Sequence, residues 1–169
     1  PEVIRFNMPN SLKERMGQKL SMLEGVAVLT GLAAAADTLA GKAVTAYTDN
    51  IGFYWAWANK GSSDLLTYTI AKALHDVAEG LGVDITVRKE TRCSNRESEA
   101  ADALSKCDFA RAFENMVNRE PEPLEIPRTV LQWAKDPTPT ATLGRRILRE
   151  IEGKYPRITV RDWRAWEGM

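Results

Sequence analysis

Three acidic residues stand where the surrounding pattern calls for none. Glu24, in "LSMLEGVAVLTG", shares a helical stripe with Leu20, Ala27 and Val28, its i−4, i+3 and i+4 neighbours, so its carboxylate leaves the helix toward apolar surface. An ionised group there needs a partner. Asp49, in "VTAYTDNIG", closes a nearly uncharged run, and the C-terminal ends of strands are where ligand crevices form in open α/β sheets. Asp102, in "SEAADALSK", lies on a helix whose apolar face is read as Ala100, Ala101 and Leu104, with Cys107 beyond, while Ser98, Ser105 and Lys106 share its own side. Each also has a plain structural account. Glu24 can reach the helix edge, Asp49 can end a strand as an Asx turn, and Asp102 can pair with Lys106 at i+4. Chemistry depends on whether the fold brings the three to one place.

The stretch after Asp49, "NIGFYWAWANKG", adds four aromatic residues within five positions. On a helix, positions i and i+2 point to different sides, so Phe53, Tyr54, Trp55 and Trp57 cannot share one face. Phe53 and Trp57, at i and i+4, are assigned to packing, which leaves Tyr54 or Trp55 as a candidate sugar or base contact. Downstream, Arg88, Lys89, Arg92 and Arg96 form a basic run that serves equally well as solvated strand-edge charge or as a phosphate-contacting surface.

The elements that position these residues follow from periodicity and breakers. Val3, Ile4, Phe6 and Met8 read as a short strand ended by Pro9 and Asn10. Residues 20–39 read as a helix stopped by Gly41, and residues 43–48 as a central strand buried on both faces. A short helix near 51–59, a Gly-Ser-Ser break, a longer helix over 64–81 ended by Gly80 and Gly82, a strand over 83–89 and a helix over 97–106 complete the series. Such alternation predicts an α/β layer with at least one parallel pair. After Phe109 the prolines at 121, 123, 127, 137 and 139 cut the chain into pieces, with helices near 127–135 and 140–153. The organisation expected is therefore a domain over 1–109 and a Pro-rich connector with a helical tail over 110–169.

Composition limits the function classes. The chain has 169 residues, 44% of them hydrophobic, enough for a real core. Lys and Arg total 23, as do Asp and Glu, so any anionic partner must be met by a local patch. From Arg145 onward, seven Lys or Arg face four Asp or Glu, which serves as a solvated face or a modest phosphate-contacting surface. Cys93 and Cys107 lack metal spacing and suit a reducing, intracellular setting. The apolar run from Val26 to Ala40 is broken by Thr30, Gly31 and Asp37, so no membrane span is expected.

Taken in order, "LEGVAVLTGL", "VTAYTDNIGFYWAWANKGSS" and "VRKETRCSNRESEAADALSK" resemble the ribonuclease H domain of retroelement reverse transcriptases, particularly DIRS-like elements that pair it with a tyrosine recombinase. The resemblance covers about residues 3–109. It implies a ribonuclease H-like mixed sheet flanked by helices, and two-metal hydrolysis of the RNA strand of RNA-DNA hybrids with Mg²⁺ or Mn²⁺. By position it implies Glu24, Asp49 and Asp102 as metal ligands. Asn50, Lys60 and Arg92 follow as candidate substrate contacts, Asn50 through the substrate backbone or a ribose 2′-OH. Reverse transcriptase and recombinase domains of the same polyprotein are the implied partners. The family's first acidic ligand lies on an earlier strand than "EVIRFNM", so this chain is expected to lack the first strands and to be inactive or weak alone. Ser98 stands where the family often has Asn, and the sole histidine, His75, falls inside a predicted helix instead of on a mobile loop. A domain of the same fold that has lost hydrolysis and serves as a nucleic-acid-binding connector is the second expectation, and an unrelated small α/β protein the third.

Overall fold

The computed structural model describes residues 20–90, 96–105 and 125–161. The strand expected over residues 3–8, Arg92, both cysteines and Lys106 lie outside them. The elements run α1 (Leu20–Ala34), α2 (Ala36–Leu39), β1 (Ala43–Thr48), α3 (Ile51–Ala58), α4 (Leu65–Leu81), β2 (Asp84–Lys89), α5 (Arg96–Ser105), α6 (Arg128–Lys135) and α7 (Leu143–Lys154). This is a mixed α/β chain in which helices dominate.

β1 and β2 pair in parallel, with Ala43 opposite Asp84 and Thr48 opposite Lys89. The crossover between them is α3 and α4, as parallel pairing demands. Burial alternates along both strands. Val44, Ala46 and Thr48 on β1, with Ile85 and Val87 on β2, face the helices, whereas Ala43, Thr45, Tyr47, Thr86 and Arg88 are exposed. The expectation of a strand buried on both faces is therefore corrected. α3 and α4 cover one face of the pair, and among the described residues β1 has β2 as its single strand partner. Apolar Ala43 and Tyr47 made the run look two-sided, although one is small and the other carries a polar tip.

α4 is the axis of the core. It packs against α1 on one side and α7 on the other, burying Ile70, Ala73, Leu74, Val77 and Leu81 among Met22, Val26 and Leu29 from α1 and Leu143, Ile147, Leu148 and Ile151 from α7. Where α7 crosses α4, a Cβ on Gly144 would stand 3.0 Å from the Ala73 carbonyl oxygen and 2.7 Å from Asp76 Cβ, so only glycine permits the approach. α6 packs on α7 and adds Val130 and Trp133, whose indole N–H donates to the Thr138 carbonyl at 2.9 Å. The helices expected near 127–135 and 140–153 are thus present, and they share the core of the α/β part. Among the described residues no helix is long and apolar enough to cross a membrane.

One carboxylate ties α6 to α7. Glu150 accepts the backbone N–H groups of Arg128 at 2.9 Å and Thr129 at 2.7 Å, and the Thr129 hydroxyl at 2.7 Å. It satisfies donors that the first turn of α6 cannot pair internally and places negative charge at the positive end of that helix. Glu150→Ala is expected to lower stability by about 1–2 kcal/mol, read from urea midpoints at unchanged m-value.

Candidate functional site

The loop joining β1 to α3 is gripped by α1 at two points. Ser21 and Glu24 stand one turn apart on α1, on one face. The Ser21 hydroxyl donates to Asn50 Oδ1 at 3.0 Å, and the Thr48 hydroxyl lies 3.5 Å from Glu24 Oε2. Asp49 sits between these two anchors, exposed at the end of β1. Thr48 is 4% exposed, and its hydroxyl also accepts the Asn50 N–H at 3.0 Å. Asn50 Oδ1 accepts the Phe53 N–H at 2.8 Å and so caps α3. The half-buried Glu24 therefore finds a polar partner at the C-terminal end of the first strand, beside Asp49, as a carboxylate leaving the apolar stripe of a helix requires. The capping bonds account for Asn50 Oδ1 without any substrate.

Asp102 is half-buried on α5, which turns Ala100 and Ala103 into the interior and leaves Ala101 exposed. Of the apolar face read as Ala100, Ala101 and Leu104, Ala100 is buried and Ala101 is exposed, Ala103 at i+3 from Ala100 is buried as well, and the Leu104 side chain lies outside those described. Among the described residues no three His, Cys, Asp or Glu side chains come close enough together to hold a metal ion. Glu24 is thus brought to the strand end that carries Asp49, while Asp102 does not complete a metal-binding trio with them. The described residues by themselves do not make a full site for the divalent cations that the resemblance implies.

The aromatic cluster divides as its spacing predicts. Phe53 is 1% exposed and lies in the core, Trp57 is half-buried, and Trp55 is 53% exposed with an edge-to-face contact to Tyr54 at 5.2 Å. Trp57 stacks flat on His75, with ring centroids 3.8 Å apart and planes within 1°. Lys60 is exposed just past α3 with φ at +52°, a left-handed conformation that glycine adopts more readily. Its N–H bonds to Trp57 O at 3.2 Å and that of Gly61 to Ala56 O at 3.0 Å, the pattern of a Schellman stop. Sequence reasoning found Glu24, Asp49 and Lys60 but missed Ser21 and Thr48, which hold the loop. The signal for both was local: a serine three residues before the misplaced glutamate, and a threonine closing an apolar strand.

Comparison with protein-family models, curated proteins and solved structures finds no match to this chain. The functional reading rests on the residues themselves.

His75 provides a test of this packing. Burial against Trp57 holds its pKa below the usual 6.5, and the nearby positive charge of Lys60 acts in the same direction, against a 3.4 Å contact of Nε2 with the Trp57 carbonyl. The folded value is lower than the unfolded one, so well above pH 6.5 the ring is neutral in both states and this group makes no pH-dependent contribution. As pH falls below that value the unfolded chain takes up the proton first, and stability drops until pH passes beneath the folded pKa. His75→Phe keeps a stackable ring without the titration. Its urea midpoint is expected to vary less between about pH 7.5 and 5.5 than that of the parent chain.

Proposed function

We propose that this chain is a ribonuclease H-like domain of a retroelement polyprotein, working inside the cell on RNA-DNA hybrids beside reverse transcriptase and recombinase domains. The observation that carries the reading is the approach of Glu24, from α1, to the Thr48 hydroxyl at the end of the first of two parallel strands, next to Asp49. That juxtaposition has the helix-bearing-Glu and strand-ending-in-Asp arrangement that the motif order implies. Exposed Trp55 and Lys60, from the α3 region that follows Asp49, supply a stacking face and a cation for a nucleic-acid strand.

Hydrolysis with Mg²⁺ or Mn²⁺ needs more carboxylate than Glu24 and Asp49 provide, and the described residues do not bring a third to them. This favours, as the second reading, a domain that binds hybrid without cutting it. A labelled RNA-DNA hybrid separates the two when titrated with the 169-residue chain in Mg²⁺ or Mn²⁺. We expect salt-sensitive binding that Lys60→Glu weakens by roughly threefold to tenfold, with little or no cleavage. Metal-dependent cleavage abolished by Asp49→Asn would favour the nuclease, and binding alone the connector. A chain that neither binds nor cuts the hybrid refutes both.

A further inference from the structure

We propose that a cleft at the opposite end of the sheet from Asp49 binds a nucleotide unit, a phosphorylated nucleoside either free or within a strand. The cleft has a volume of about 580 Å³, within the usual range for small-molecule sites. It opens where α2 and α4 end and the segment after α7 folds back over them, beside Gly41 at the start of β1. The strands are parallel and six residues long, so this end lies roughly 17 Å from Asp49. The inference is independent of the acidic end and of the reading built on it.

Three bonds hold the walls in place. The Arg161 N–H donates to Gly80 O at 2.8 Å, the Tyr155 hydroxyl to Ala34 O at 3.2 Å, and the Gly41 N–H to Leu81 O at 3.0 Å. The cleft is therefore built by the fold and does not depend on one surface side chain.

Its chemistry is mixed in a particular way. Lys154 and Arg157 bring two cations, Asp37 brings a carboxylate, and Leu81, Tyr155 and Ile158 supply apolar surface. All three charged residues are exposed, and none forms an ion pair with another among the described residues. Charges of both signs lining one cleft match a ligand that is itself anionic at one end and rich in hydrogen-bond donors at the other. A nucleotide has that form: phosphate for Lys154 and Arg157, ribose hydroxyls or base N–H groups for Asp37, and a flat ring for the apolar wall. A bare anion would leave Asp37 repelling it, and a cation would meet the two basic residues.

Chemical-shift titration of the uniformly ¹⁵N-labelled full chain tests this with adenosine monophosphate, adenosine, inorganic phosphate and a short oligoadenylate. Saturable shifts are expected at Asp37, Gly41 and Tyr155 with a phosphorylated adenosine, and much weaker ones with adenosine or phosphate alone. Arg157→Glu should weaken binding about tenfold and Asp37→Asn about threefold. Arg146→Glu, an equal charge change on an exposed part of α7 that does not line the cleft, should alter it less than about twofold. Binding of the monophosphate assigns the cleft to free nucleotide, and binding of the oligonucleotide alone assigns it to a strand; either supports the proposal. It is overturned if neither shifts the cleft, if phosphate binds as tightly as the nucleotide, or if Arg146→Glu and Arg157→Glu cause equal losses.

Discussion

A chain ending at residue 124 is expected to lose its cooperative thermal transition. α7 lies along α4, with Gly144 against Ala73 and Leu148 against Gly80, and removing it with α6 would take Leu143, Ile147, Leu148 and Ile151, each now no more than 2% exposed, out of the core. Losing the burial of even three such aliphatic side chains would remove about 5 kcal/mol, against a net stability of about 5–15 kcal/mol for an ordinary domain. Deletion also spares the entropy of ordering the lost segment, but α4 still has to be ordered and loses the helix that packs against it opposite α1. Circular dichroism should show a broad, shallow melt for the truncated chain beside a sigmoidal one for the full chain. A truncated chain that melts sharply at the parent temperature would show that the C-terminal helices are a dispensable appendage.

That result bears on how much of the fold was legible. The parallel pair, the long α4 and both C-terminal helices follow from periodicity and from Gly and Pro punctuation, which are local signals. The docking of α7 on α4 is not local. Prolines around residues 121–139 mark breaks in secondary structure, yet a break does not say whether the next helix packs back. The clue lay in α7 itself, where Leu143, Ile147, Leu148 and Ile151 form one stripe beside Gly144, the pattern of a helix that needs a close neighbour. Burial on both sides of β1 was misread for a similar reason. Alternation was present in Val44, Ala46 and Thr48 against Ala43, Thr45 and Tyr47, but the apolar Ala43 and Tyr47 on the outer face blurred it.

The candidate site was legible by residue type and only partly by position. A glutamate on an apolar stripe and an aspartate closing a strand are misfits that a reader of the sequence can flag, and the fold gives Glu24 a polar partner at that strand end. Whether Asp102 joins them depends on where α5 lies, which no spacing rule within "SEAADALSK" can state. The loop's anchors, Ser21 and Thr48, escaped notice because a hydroxyl has no pattern until its partner is known.

The second large effect is expected at Gly25, next to Glu24. A Cβ there would lie 2.7 Å from Ile70 Cγ2 and 3.3 Å from the Phe53 ring, both in side chains 1% exposed. Neither can retreat without disturbing the core, so Gly25→Val has to displace α1 from α3 and α4. The overpacking should destabilise the chain by about 1–3 kcal/mol. The displacement also reaches the loop, because Ser21 and Glu24 hold Asn50 and Thr48 from the same helix. Double-mutant cycles distinguish this from a general loss of stability. In the parent, Ser21→Ala and Asn50→Ala should couple by about 0.5–1.5 kcal/mol, because each removes the same hydrogen bond. In the Gly25→Val background that coupling should fall toward zero. Coupling that survives intact would mean that α1 keeps its grip on the β1 to α3 loop when its packing glycine is filled. Gly25 would then be a core residue with no part in placing Glu24 beside Asp49.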